Sequence, residues 1–298
     1  MAKMTRLQKK ESLAGWMFIL PLVIGVGIFT YGALVYSFKI SLTRWELLTP
    51  PTFVGLENYK KIFSDPVFKE CLLNTLYFVV TIVPLGIVIS LFFAILLNQK
   101  MKGNAFFRAA FYLPCITSTV AVSMVWLWIL NPDLGILNTI LRGLGVIDPP
   151  RWLESIQWAK PALVILRLWQ VSGYYMIMYL TGLQSIPNEL YEAAELDGAT
   201  GWQKIRYITI PLLSNTTFFV TTLLIIEAFN IFESIYVMTE GGPGGSTNTL
   251  MYYIYTRGFK SAPPRMGYAS AMAWVLFFIL FVVTLVQFLV RRKKEMIY

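Results

Sequence analysis

Six charge-poor apolar runs constrain this chain more than any other feature. They are Gly15–Phe38, Cys71–Gln99, Ala109–Pro132, Pro161–Gln184 (interrupted by Arg167), Tyr207–Val237 (interrupted by Glu227 and Glu233) and Met266–Val290. Each is long enough for a helix to cross a hydrocarbon core, which takes roughly 20 apolar residues for a thickness of about 30 Å. Inside that core the backbone finds no water, so its N–H and C=O groups must be satisfied within a helix or a closed barrel. The two-residue alternation of a barrel strand is missing from these runs. With 56% hydrophobic and 14% charged residues among 298, the chain is too apolar for an ordinary soluble domain. The expectation is an all-α integral membrane protein. Residues 1–14 form a tail, residues 15–290 carry six transmembrane helices, and residues 291–298 form a second tail.

Basic residues orient the spans, because Lys and Arg accumulate on the cytoplasmic side. Lys3, Arg6, Lys9 and Lys10 precede the first run, Lys100, Lys102 and Arg108 follow the second, and Arg291, Arg292, Lys293 and Lys294 follow the sixth. With six spans these groups share one side, which places both termini in the cytoplasm. Trp126, Trp128, Trp152 and Trp158 gather at the outer end of the third run and the loop beyond it, as an interfacial aromatic belt does. The net charge of +9 then follows from topology and anionic lipid and requires no nucleic-acid partner. The first run is too long for a signal peptide, and no small-residue cleavage site follows it. Cys71 and Cys115 both fall inside runs, which argues against a disulfide framework. The absence of histidine excludes histidine-based catalysis and most zinc sites. Pro84 and Pro114 predict kinks in the second and third spans.

Between the fourth and fifth runs lies the most hydrophilic stretch of the interior, residues 185–211. Ser185-Ile186-Pro187 can open a helix, since proline is tolerated in the first turn. Gly198 can stop it in a left-handed conformation. Thr200-Gly201-Trp202-Gln203 has the form of a capping box, so a second helix starts there, and Pro211 marks a break before the next run. The product is a compact helix–turn–helix knob. Ala193 and Ala194 allow close approach of another surface, and Glu189, Glu192 and Glu195 share roughly one face. By composition alone, a solvated loop helix whose acids favour its N-terminal dipole fits equally well.

The pattern of that stretch is more specific. Glu192-Ala193-Ala194, then three residues to Gly198, then nine to Ile208-Thr209-Ile210-Pro211, resembles the Glu-Ala-Ala loop of ABC importer permeases; Ile210 stands where leucine is usual. Leu73-Asn74-Thr75 at the start of the second span and Leu96-Leu97-Asn98 at its end resemble the core of carbohydrate-type permeases. So does the outer turn Gly241-Gly242-Pro243, followed by the Thr247-x-x-Leu250-x-x-Tyr253 pattern. The likeness is to the maltose-, lactose- and glycerol-phosphate-type family. It implies a bacterial inner-membrane subunit with a cytoplasmic coupling loop made by Glu192, Ala193, Ala194, Asp197, Gly198, Ile208 and Pro211. It also implies a second homologous permease, two ATPase subunits and an extracytoplasmic solute-binding protein. ATP and Mg would sit on the ATPases, with no cofactor on this chain. The glycines of residues 241–245 are not a phosphate loop, because no Gly-Lys-Ser/Thr follows them. The first outer loop, near residues 39–70, serves equally as a docking surface or a plain capping loop.

Charges inside a membrane are costly and mark function by default. Arg167 lies ~10 Å below the outer end of the fourth span and Glu227 ~22 Å above the inner end of the fifth, at ~1.5 Å per residue. In a core about 30 Å thick these depths nearly coincide, so the two should pair or line one aqueous cavity. Glu233 falls near the outer interface. Arg167, Gln170 and Tyr174 share one helical face, and Glu227, Asn230 and Ile231 another. A sugar presents hydroxyls and an apolar ring face, and Trp169, Gln170, Tyr174, Glu227 and Asn230 offer amides or carboxylates beside aromatic rings. The same residues would also serve as helix-packing polars and core aromatics. The family resemblance implies cargo contacts at or near Gln170, Tyr174, Leu224, Glu227, Ala228 and Ile231. Glu227 and Ala228 replace that family's aromatic–amide pair, so the cargo should differ from maltose. The reading is an ATP-driven importer of a saccharide, with glycerol phosphate or another polyol as the alternative cargo. An ion-driven secondary transporter using Arg167 and Glu227 would not need the Glu-Ala-Ala loop. An intramembrane enzyme lacks a nucleophile–base constellation.

Overall fold

The computed structural model describes residues 5–99 and 103–295. Lys3, Lys100 and Lys102, three of the residues that orient the chain, lie outside them. Helices dominate. In chain order they are α1 (Arg6–Gly25), a π-turn (Val26–Gly32), α2 (Ala33–Ser41), a hairpin of β1 (Thr43–Arg44) and β2 (Thr52–Phe53), α3 (Glu57–Ser64), α4 (Pro66–Asn98), α5 (Asn104–Ile116), α6 (Thr119–Ile129), α7 (Ile136–Gly143), α8 (Ile156–Gln184), α9 (Asn188–Leu196) and α10 (Gly201–Lys204). A second π-turn (Ile205–Thr209) leads to α11 (Ile210–Leu212), α12 (Ser214–Phe229), α13 (Glu233–Met238), α14 (Leu250–Tyr255), a third π-turn (Thr256–Lys260) and α15 (Met266–Glu295).

Among the described residues five helices are long and apolar enough to cross a membrane, and a sixth crossing exists if α5 and α6, bent by 100°, count as one. The expected kink at Pro114 is therefore a break. Proline removes the N–H owed to the carbonyl four residues back and crowds that carbonyl, and three hydroxyl residues, Thr117, Ser118 and Thr119, follow within the turn. Pro84 behaves differently, since α4 runs unbroken past it. Asp65 accepts from the Val67 N–H with proline at the first helical position, so α4 starts two turns before Leu73-Asn74-Thr75. The break expected at Pro211 is present, since α11 ends at Leu212 and a turn at Leu213 precedes α12. The π-turn just before it carries i−5 hydrogen bonding, with the Ile210 N–H reaching the Ile205 carbonyl, and this wider turn makes room for the ring.

Two compact units are present. In the first, the described part of residues 1–64 joins residues 254–277. Here the loop near residues 39–70, expected on the outer side, is ordered from within. Asn58 Nδ2 donates to the Ser41 and Thr43 carbonyls at 2.9 Å each, and the Met266 N–H reaches the Trp45 carbonyl at 2.9 Å. Lys61, which donates to Glu57 and sits 2.6 Å away, and Arg44 at 3.0 Å hold the Glu57 carboxyl below the usual carboxylate range.

In the second unit, the described part of residues 65–253 and 278–298, α8 lies against α4 and α5, and α12 against α4. Phe78, Ile82, Leu163, Leu166, Tyr175, Tyr179 and Leu224 are fully buried between them. The Ser90 hydroxyl donates to the Ser172 carbonyl at 3.1 Å, tying α4 to α8. Asn104 and Arg108 donate to the Leu97 carbonyl, at 3.2 and 3.1 Å, and so cap the C-terminal end of α4. The glycine-rich loop is clamped by the paired residues of α4. Asn74 Nδ2 donates to the carbonyls of Gly245 and Asn248, at 3.0 and 2.9 Å, and the Thr75 hydroxyl accepts from the Leu250 N–H at 3.0 Å. Asn74→Ala leaves two carbonyls unpaired at a cost of about 1–3 kcal/mol. Hydrogen exchange over residues 241–250 should rise at least tenfold; unchanged protection would show that the clamp is dispensable.

Candidate functional site

The break between α5 and α6 borders a cavity of about 360 Å³. Cys115, on the last turn of α5, and Thr119, on the first of α6, form one wall. Arg167, Gln170, Val171, Tyr174 and Tyr175 of α8 form the second, and Leu223, Ile226 and Glu227 of α12 the third. The α8 residues fall at helical spacing on one stripe, so a single helix face supplies most of the polar atoms. The α5 backbone comes against α8 at Gly173, where a Cβ would lie 1.9 Å from the Phe111 carbonyl oxygen. Only glycine permits that approach, and it places Cys115 and Thr119 beside Gln170.

A polar chain crosses the cavity. Arg167 Nη1 donates to Gln170 Oε1 at 2.9 Å, and Gln170 Nε2 donates to Thr119 Oγ1 at 3.1 Å. Arg167 Nη2 lies 3.6 Å from Glu227 Oε2, an ion pair longer than a hydrogen bond. The Arg167 side chain is 15% exposed and that of Glu227 41%. The arginine is thus oriented by an amide that is itself pinned, whereas the carboxylate is held more loosely. Glu227 Oε2 and the Tyr175 hydroxyl are both buried, and Glu227 faces the Arg167 guanidinium as well as the Tyr175 hydroxyl. Chemically the wall offers a carboxylate facing a fixed guanidinium, a tyrosine hydroxyl beside them and apolar surface from Leu223 and Ile226.

Of the residues expected along a cargo path, Arg167, Gln170, Tyr174 and Glu227 come together here. The others stand elsewhere. Trp169 is exposed and packs on Trp126 at 5.8 Å between ring centroids. Leu224 is fully buried among Gly86 and its neighbours, and Ala228 and Ile231 are also core residues. The shared face of Glu227, Asn230 and Ile231 does not form, because α12 ends at Phe229. Asn230 instead turns its amide back to the Ile226 carbonyl at 2.8 Å and caps the helix. Glu233 is exposed in the first turn of α13. Cys115, Thr119 and Tyr175 were not anticipated. The available signal was the hydroxyl run after Pro114, improbable in an unbroken span.

The stretch 185–211 presents a second surface. α9 ends at Leu196 with Asp197 as its C-cap, Gly198 takes φ +75°, and Thr200 and Gln203 form a reciprocal capping box that starts α10. Lys204 bridges to Glu195 at 2.6 Å, and the Tyr191 and Thr209 hydroxyls meet at 3.0 Å, which ties the two arms together. Ala194, Asp197, Gly198, Gln203, Tyr207 and Ile208 are among the residues lining a groove of about 270 Å³. Glu192, Ala193 and Pro211 are exposed beside it. So are two large apolar side chains that charge patterning did not single out, Leu196 at 91% and Trp202 at 70% exposure.

Residues 83–295 match the family model of the binding-protein-dependent transport system inner membrane component. Over 295 residues the chain is 34% identical to the lactose transport system permease protein LacF of Rhizobium radiobacter, covering 97% of each chain. Over another 295 it is 34% identical to the trehalose/maltose transport system permease protein MalF of Thermococcus litoralis, covering 98% of each. Among solved structures it resembles a chain of a bacterial ABC transporter involved in import of the acidic polysaccharide alginate, with TM-score 0.85 and 25% identity over 97% of this chain and 99% of that one. It also resembles a chain of a bacterial alginate ABC transporter solved in complex with an alginate pentasaccharide-bound periplasmic protein, with TM-score 0.82 and 25% identity over 95% of this chain and 96% of that one. A six-run apolar chain with a bent third span, a capped helical knob and these relatives belongs to the binding-protein-dependent transport inner-membrane family: it is an ABC transporter permease, a multi-pass membrane protein.

Proposed function

We propose that this permease passes a saccharide, delivered by an extracytoplasmic binding protein, through a path that includes the cavity of Arg167, Gln170, Tyr174 and Glu227. The observation that carries the reading is that cavity. It joins hydrogen-bonding groups of both signs to aromatic and aliphatic surface at the middle of the spans, as a hydroxylated ring requires. The relatives' names favour sugars, and the outer Gly-Gly-Pro turn fits the same class. Glycerol phosphate or another polyol is the competing cargo.

The assembly is this chain, a second homologous permease and two ATPase subunits, with both termini cytoplasmic. ATP and Mg belong to the ATPases. When these close on ATP, the exposed knob around Glu192–Gly198, with Leu196 and Trp202, moves with them, rocks the spans and opens the cavity outward. Hydrolysis resets it. The test is ATPase activity of the lipid-embedded assembly with its binding protein, across neutral sugars, acidic sugars and glycerol phosphates. A several-fold stimulation by one saccharide is the expected result. Stimulation by a non-sugar solute alone would keep the machine and overturn the cargo. Failure of any ATPase to assemble with this chain would overturn the importer.

A further inference from the structure

Tryptophans at the ends of the third and fourth spans mark a level in the membrane. Trp128 is exposed on the last turn of α6 and Trp158 on the first turn of α8, where an interfacial belt belongs. Trp152 packs edge-on against Trp158, with 5.2 Å between ring centroids, and its indole N–H donates to Asn138 Oδ1 of α7 at 2.7 Å. The belt is thereby joined to a helix that is built inside out. Asn138 is buried, and its Nδ2 donates to the Pro132 and Pro150 carbonyls at 3.0 and 3.1 Å. Arg142 donates to the Asp133 and Pro132 carbonyls at 2.9 and 2.8 Å, and the Thr139 hydroxyl donates to the Gly135 carbonyl at 3.0 Å. The polar side chains of α7 are therefore all engaged by the protein's own backbone or by Trp152. Its apolar side chains point the other way. Ile136, Ile140 and Leu144 follow at four-residue spacing on one face, and all are exposed. Leu134 and Ile147 extend the row at its two ends; Leu134, Leu144 and Ile147 are 78, 77 and 98% exposed.

We infer that α7 is an interfacial helix whose exposed row lies in the headgroup–acyl boundary of the bilayer, with lipid as its permanent partner. At ~1.5 Å per residue its eight residues rise about 12 Å, too short to cross but suited to lying in the plane of the interface. In water the row would be a bare aliphatic patch on a helix whose polar face is hidden, the reverse of a soluble amphipathic helix. The row is continuous with the lipid-facing surface of the spans through Trp128 and Trp158. Asp133 and Asp148 stand exposed just beyond its ends, at the level of headgroups and water. The row has no aromatic or arginine side chain, the types that carry most protein–protein contacts, in contrast to Trp202 on the knob. A binding protein that docks and leaves would return the row to water in every cycle; lipid does not leave. Leu137 packs against the core of the second unit, so the anchor holds the junction of α6 and α8 at a fixed depth. The inference rests on the membrane-spanning class and is independent of the cargo.

The test places the full wild-type assembly in nanodiscs of phosphatidylethanolamine and phosphatidylglycerol. A small fraction of the lipid carries a diazirine, either beside the glycerol (shallow) or at the end of an acyl chain (deep). On illumination the diazirine loses N2 and the carbene inserts into a neighbouring C–H bond, and peptide mass spectrometry locates the adduct. Because the row lies at the boundary, peptides covering residues 134–147 should be labelled about fivefold or more by the shallow lipid relative to the deep one. Exposed residues in the middle of α4 and α15 should show the reverse order. In a second arm, p-benzoylphenylalanine is placed at position 140 or 147, and the mass of the photoadduct names the neighbour. Lipid adducts are the expected result. Adducts to the second permease or to the binding protein in place of lipid overturn the inference, as does labelling of residues 134–147 by neither lipid while the spans are labelled. If the benzophenone-bearing chains fail to assemble, the wild-type labelling decides alone. The ATPase response of the same nanodiscs to sugar is read in parallel; its loss speaks against the proposed function and leaves the lipid result standing.

Discussion

Gly173→Ala should disable the permease more severely than any other single methyl added to its second unit. The new Cβ would stand 1.9 Å from the Phe111 carbonyl oxygen and 2.6 Å from its carbon, both backbone atoms of α5. Overpacking a core typically costs 1–3 kcal/mol when side chains can shift; here a helix must move, so about 3 kcal/mol or more is expected. For a chain of this size each kcal/mol lowers a melting midpoint by roughly 2–4 °C, so a fall of about 6–12 °C in the purified assembly follows. Gly86→Ala is the internal comparison. Its Cβ would meet the Leu224 Cδ1 end at 3.2 Å, and a leucine end can yield by a few tenths of an ångström. Gly143→Ala meets nothing within 4 Å and sets the baseline. A midpoint for Gly173→Ala equal to that of Gly143→Ala would show that α5 does not seat on α8 as described. Because Cys115 and Thr119 are delivered to the cavity by this same contact, any Gly173→Ala protein that survives should also show altered Cys115 labelling.

Glu192→Lys should leave insertion and thermal stability within a few degrees of the wild type yet reduce cargo-stimulated ATPase activity and uptake at least tenfold. Glu192 is exposed on α9, whereas Glu195 is engaged by Lys204 within the knob itself. Reversing an exposed charge at a protein–protein contact commonly costs several kcal/mol through like-charge juxtaposition, and tenfold is 1.4 kcal/mol. Trp202→Ala removes the kind of large exposed aromatic that dominates binding energy at interfaces, and should match or exceed that loss. Co-purification of the ATPase subunits separates the two ways to fail. Weakened recovery marks lost docking, and normal recovery with low stimulated activity marks lost coupling. Wild-type uptake by both variants would remove residues 185–211 from the coupling interface.

The helical, membrane-spanning class and the positions of most apolar spans were determined by the sequence alone. Apolar length and backbone hydrogen bonding in lipid leave few alternatives. The capping box of Thr200 and Gln203 and the left-handed Gly198 were legible for the same local reason: each needs only its near neighbours. The facing of Arg167 and Glu227 followed from simple counting along two spans, because helical rise is constant. Tertiary structure decided the rest. Whether a proline bends, breaks or passes unnoticed depends on what lies against it. Pro84 runs on within α4, Pro211 stands between a π-turn and the turn at Leu213, and Pro114 lies two residues before the end of a helix whose partner approaches at Gly173. The cavity wall contributed by Cys115 and Thr119 depends on that break. Asn230 left the expected face because α12 stops at Phe229 and its amide took the vacant carbonyl. Spacing determines which residues share a face only while the helix lasts, and where it stops is set by contacts between residues far apart in the chain.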